Sequence, residues 1–114
     1  YGPYALKGTP QTQVMFERIP VNMNILNVRL VQVTAGTAGT LEVNIEYSTN
    51  GGGAWNTIFT TRPSLLYSDG DYAISTNQVL TVTSLSAGNF IRLNITSVQT
   101  KGREFKVIFE YENA

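Results

Sequence analysis

Along the last stretch of the chain, Phe105, Val107, Phe109 and Tyr111 alternate with Lys106, Ile108, Glu110 and Glu112. Successive side chains of a strand point to opposite faces, so the first set shares one face and the second set the other. This alternation predicts a strand with one buried and one wetter face. Leu41, Val43, Ile45 and Tyr47 repeat it against Glu42, Asn44, Glu46 and Ser48, as do Ile91, Leu93 and Ile95 against Arg92, Asn94 and Thr96.

Breakers and turn residues divide the rest. Residues 14–19 read as a first strand stopped by Pro20, which has no N–H to give a ladder. In residues 25–33, Leu26, Val28 and Leu30 hold one face and Val31 and Val33 the other. Such a phase change places a bulge near Leu30, or marks a strand buried on both sides. Residues 34–40 form a small-residue turn. Asn50-Gly51, a strong hairpin dipeptide, joins residues 41–48 to a returning strand at 55–60. Residues 62–72 form the longest irregular stretch, with turn chemistry at Asp69-Gly70. Strands at 78–83 and 90–98 and the final strand complete seven or eight, spaced roughly 8–12 residues apart with no helical period.

The expectation is an all-β, single antiparallel β-sandwich of jelly-roll-like form over residues 14–114. Residues 1–13 hold two prolines and two glycines without periodicity. They read as an extended N-terminal arm that lies over a neighbour or leads in from an upstream part, with a frayed terminus as the alternative.

A chain of 114 residues is one domain, long enough to form a core without staples. Charged residues make up 14%, against about 25% in a typical domain, and Asn and Thr fill the outward positions. That surface suits contact with other copies, because exposed sheet edges must be managed. Eight basic and eight acidic residues cancel without forming a basic run, so neither nucleic acid nor an anionic membrane has an electrostatic footprint. No apolar run has the length of a membrane-spanning helix. Cysteine is absent, which excludes disulfides. Tyr1 in place of Met reads as the start of a processed or excised piece, and the opening residues lack the regions of an intact signal peptide.

With neither histidine nor cysteine, Ser-His and Cys-His nucleophiles and ordinary zinc sites are excluded. Glu42 and Glu46 share a strand face but stand about 13 Å apart, beyond the roughly 5–9.5 Å that glycosidase carboxylates need. Glu110 and Glu112, about 7 Å apart, fit that window. They lie near the chain end on an open face and read as a solvated strand face. A small hydrolase would need a buried carboxylate pair, and the sequence offers none.

Asp69-Gly70-Asp71 carries oxygen ligands, but Ala73 and Ser75 stand where a calcium loop wants further acids, so it reads as a turn. Asn94-Ile95-Thr96 matches the glycosylation sequon but sits in mid-strand. Trp55, Arg62, Tyr67 and Tyr72 are the candidate ligand- or partner-facing residues, an aromatic shelf able to stack on a sugar ring; Trp55 is also a core candidate. Tyr4, Leu6, Ile58 and Ile108 are the candidate oligomer contacts. No cofactor is expected.

Several segments carry a family resemblance: residues 16–21 (Phe-Glu-Arg-Ile-Pro-Val), 25–30 (Ile-Leu-Asn-Val-Arg-Leu), 35–45, Thr57-Ile-Phe-Thr-Thr-Arg-Pro-Ser64, and 85–98 beginning Leu-Ser-Ala-Gly-Asn. From Phe16 to Tyr111 they resemble a β-sandwich domain found repeatedly in tailed-phage structural proteins, chiefly fibre, knob and head-decoration proteins. Asn89 stands where that family usually has Asp, and Asn50-Gly-Gly-Gly53 is a longer insertion.

The resemblance implies a non-enzymatic component of the virion, a capsid decoration or a fibre tip. It would assemble as a homo-oligomer, with a trimer favoured, contact other virion proteins and face a host-surface glycan as a candidate ligand. The alternative is a carbohydrate-binding module of an extracellular protein. The two part on whether the chain is a stable trimer or a sugar-binding monomer.

Overall fold

The computed structural model describes residues 4–5, as backbone, and residues 10–114. Its elements in chain order are β1 (Tyr4–Ala5), β2 (Gln11–Arg18), β3 (Met23–Gln32), β4 (Thr40–Ser48), β5 (Asn56–Thr57), β6 (Phe59–Thr61) and β7 (Ser64–Leu66). A single 3-10 turn (Tyr67–Asp69) follows. Then come β8 (Ala73–Ile74), β9 (Val79–Leu80), β10 (Ser84–Leu85), β11 (Phe90–Ser97) and β12 (Glu104–Asn113).

One sheet runs β1-β12-β3-β10, with β8 also on β3. The other runs β2-β11-β4-β5, with β7 also on β4; β6 and β9 pair as a small ribbon. The pairings are antiparallel throughout. The protein is an all-β sandwich, as the alternating pattern predicts.

The core lies between the inner faces. Val28 and Leu30 of β3, Leu41, Val43 and Ile45 of β4, Ile91, Leu93 and Ile95 of β11, and Phe105 and Val107 of β12 are all buried. Burying one such side chain contributes about 1.5–3 kcal/mol relative to leaving it exposed, and these residues hold the sheets face to face.

Four local expectations are corrected. The described residues hold twelve strands, not seven or eight, because residues 56–85 break into six short pieces that move between the sheets and the ribbon. The strand assigned to residues 14–19 begins at Gln11, so part of the predicted arm belongs to the sheet. Gln13 there takes a positive φ of 59° where the β2–β11 register shifts. The bulge in β3 falls at Leu26, not near Leu30: Glu110 pairs with Asn27 and Tyr111 with Ile25, leaving Leu26 as the extra residue, 56% exposed. Tyr111 is 53% exposed despite sitting opposite buried Ile25. It lies with Phe109 along a crevice of about 160 Å³ between β12 and residues 17–20, where the interior opens to solvent.

Candidate functional site

The irregular stretch between β7 and β9 is held in place by buried polar side chains, and this makes it the candidate site. It crosses from one sheet to the other, β7 lying on β4 and β8 on β3. Gln32, the last residue of β3, is 1% exposed. Its Nε2 donates to the carbonyls of Leu66 (2.9 Å) and Gly70 (2.8 Å). Its Oε1 accepts from Gln99 Nε2 (2.7 Å), which also donates to the Leu65 carbonyl (3.0 Å). Gln99 Oε1 in turn accepts from Gly36 N at 2.8 Å. Two facing amides thus bolt residues 65–70 to β3 and to the turn after β11. A buried polar network of this kind rigidifies what it holds, because each member left unpaired would cost its desolvation.

Further bonds extend the fastening. Leu66 N donates to Asp69 Oδ2 (2.8 Å), and Ser64 N and Oγ are bound by the Asn77 amide (3.3 and 2.8 Å). Ala35 N donates to Asp71 Oδ1 (2.8 Å), and Leu30 N to Ser75 Oγ (2.8 Å). The outward N–H groups of β7 at Ser64 and Leu66 are therefore capped by side chains and closed to a further strand. On either side of Gly70 (φ 91°), Asp69 and Asp71 each accept from one backbone N–H, of Leu66 and Ala35, which makes Asp69-Gly70-Asp71 a pinned turn. Among the described residues, no group of three or more acidic, His or Cys side chains is placed to hold a metal ion.

Tyr67 and Tyr72 stand exposed on this loop, Tyr72 at 71%. Tyr72 adopts a left-handed φ of 59°, uncommon for a bulky residue, and its N donates to the Gln32 carbonyl at 2.6 Å. Arg62 is exposed where the loop begins, beside buried Pro63.

Trp55 does not join them. Tyr47 of β4 pairs with Asn56, while Thr40 pairs with Leu66. Asn56 and Leu66 are thus roughly 23 Å apart along β4, and Trp55 and Tyr67 lie beyond them at opposite ends of the strand. The single aromatic shelf expected from the sequence is not assembled.

Trp55 instead belongs to a cluster on the outer face of β2, β11 and β4. Phe16 stacks on Phe90 with ring centroids 5.1 Å apart and meets Trp55 edge-on at 6.1 Å. The Arg92 guanidinium sits over the Trp55 ring at 4.3 Å. Glu46 Oε1 accepts from Arg92 Nε (2.9 Å), Arg92 Nη2 (2.8 Å) and Asn94 Nδ2 (2.6 Å). Gln13 N donates to Asn94 Oδ1 at 2.8 Å. The polar groups of this cluster are engaged with one another, so it reads as a clamp across three strands. Asn94, the sequon residue, is half-buried inside it.

Of the oligomer candidates, Ile58 is corrected outright, being 0% exposed. Its N donates to the Ile45 carbonyl and its carbonyl accepts from Thr81 and Val82 N. The chain passes from β5 to the β6–β9 ribbon at this residue, which turns Ile58 into the interior. Ile108 is half-buried on the outer face of its sheet, opposite Arg29. Leu6 and the Tyr4 side chain lie outside the described residues. The Tyr4–Ala5 backbone pairs with Phe105 and Glu104 of the same chain. Glu110 makes an ion pair with Arg29 (3.5 Å), and Glu42 accepts from Thr96 Oγ1 (2.9 Å). No helix among the described residues is long and apolar enough to cross a membrane.

Gln99 carried no signal in the sequence. Gln32 occupies the inward phase set by Val28 and Leu30, and a polar residue in that phase is the only trace of a buried bolt. Comparison with protein-family models, curated proteins and solved structures returned no match to this chain.

Proposed function

We propose that the chain is a non-enzymatic structural and adhesion domain of a bacteriophage particle, located in the virion as a capsid decoration or fibre tip. It works in several copies, a homotrimer being the stoichiometry the family resemblance favours. The observation that carries this reading is the fastened loop. The buried amides Gln32 and Gln99 serve to hold residues 65–70 in one shape, and Tyr67 and Tyr72 stand exposed on that shape. Fixing an exposed loop in advance lowers the ordering cost of meeting a partner. The virion assignment rests on the resemblance of residues 16–21, 25–30, 35–45, 57–64 and 85–98.

A carbohydrate-binding module of an extracellular protein is the second reading, favoured by the two exposed tyrosines on a rigid loop. Native mass spectrometry, with electron microscopy of particles made with and without this chain, separates the two. The virion reading expects a trimer and density lost from the particle. A monomer that leaves the particle unchanged would overturn it.

A further inference from the structure

We propose that the paired depressions flanking Ile74–Thr76 form a groove for a neutral saccharide; this rests on the adhesion reading and names its ligand class. The first depression, about 560 Å³, lies between β7 and β8, with Ser64, Leu66, Asp69, Ile74, Thr76 and Asn77 in its lining. The second, about 400 Å³, shares Ile74 and Thr76 and adds Asn27 and Gln78. The two depressions meet at Ile74 and Thr76, which line both.

The lining matches a polyol. Hydroxyl, amide and carboxylate groups border the groove, and a sugar hydroxyl both donates and accepts. Asp69 uses one oxygen on Leu66 N, and the Asn77 Nδ2 uses one N–H on Ser64 Oγ, which leaves acceptor and donor capacity on each. Leu66 and Ile74, both about half exposed, give apolar walls for the C–H face of a ring. Arg29 borders the second depression but is paired with Glu110, and Asp69 is the one charged residue lining the first, so no uncompensated positive charge selects an anionic ligand. The walls are already fixed by Gln32, Ser75 and Asn77, so little ordering is left for binding to impose.

The test uses the whole chain in its native assembly, titrated by ligand-observed NMR and calorimetry. The probes are neutral hexoses, N-acetylhexosamines and their short oligomers, with sulfated and sialylated sugars as the charged arm. At least one neutral sugar binds. Thr76→Arg, at an exposed position between the depressions, lowers affinity at least tenfold with the melting curve unchanged, and Ile74→Ala lowers it severalfold. Phe16→Ala, on the opposite face, leaves it unaltered. Failure of every neutral sugar to bind, binding of charged sugars alone, or indifference to Thr76→Arg would each overturn the saccharide groove. A chain that binds no sugar yet remains multimeric on its particle loses this inference and keeps the proposed function.

Discussion

Gln32 shows how far one side chain can determine a surface. Its amide reaches two loop carbonyls and a second buried amide, and each such bond contributes about 1 kcal/mol net. Gln32→Leu is therefore expected to lower stability by about 3 kcal/mol in urea titration. It should also speed amide hydrogen exchange selectively through residues 65–72. Uniform exchange across the chain would refute the bolt.

Tyr72 presents the reverse case. Its left-handed backbone costs energy that Asn tolerates better, so Tyr72→Asn is expected to raise stability by roughly 0.5–1 kcal/mol. Thermal unfolding would register this as a higher Tm. At Arg92, truncation to Ala removes two hydrogen bonds to Glu46 and the stacking on Trp55, an expected loss of about 1–2 kcal/mol. Arg92→Lys should recover less than half of it, since an ammonium lacks the flat, multiply donating face.

At the scale of elements, the alternating positions of β11 and the first half of β12, and the inward set of β4, were readable because strand stereochemistry alone sends neighbours to opposite faces; Asn44 and Ser48, expected on the wetter face of β4, are buried. The bulge in β3 was not, because Leu26 and Leu30 are chemically equivalent and only the register against β12 shows which is extra. Leu26→Lys should leave stability within about 0.5 kcal/mol, whereas Ile25→Lys should unfold the domain by burying an unpaired charge. Circular dichroism of the pair checks the assignment.

The small-residue turn after β3 has a comparable reason. A Cβ added at Gly36 would stand 2.3 Å from the Thr100 carbonyl oxygen and 2.9 Å from Gly102 N. Both are backbone atoms that cannot move aside, so Gly36→Ala should cost about 2–3 kcal/mol in the same titration.

Across the whole molecule, the central pairings join distant parts of the chain: Met15 meets Leu93, and Phe105 meets Gln32. Loop closure must precede the reward from such contacts, so refolding is expected on the order of milliseconds to seconds, slower than for helical domains of this length. Stopped-flow fluorescence of Trp55, seated on Arg92 and beside Phe16, would follow closure of the β2–β11–β4 sheet directly. The same topology explains the absence of a single aromatic shelf. β4 carries the hairpin toward Trp55 at one end and the loop toward Tyr67 at the other, so residues close in sequence are separated by the length of a strand.

That this chain builds strands, which side of β4 and β11 turns inward, and that no histidine or thiol chemistry is available can all be read from the residues in order. Those properties follow from composition and from alternation between adjacent residues. The folded arrangement is what makes Ile58 interior, sets Trp55 in a clamp, and brings Gln32 and Gln99, 67 positions apart, together to fasten a loop. Each of these depends on which strand lies alongside which, and that choice is made by burial summed over the whole core.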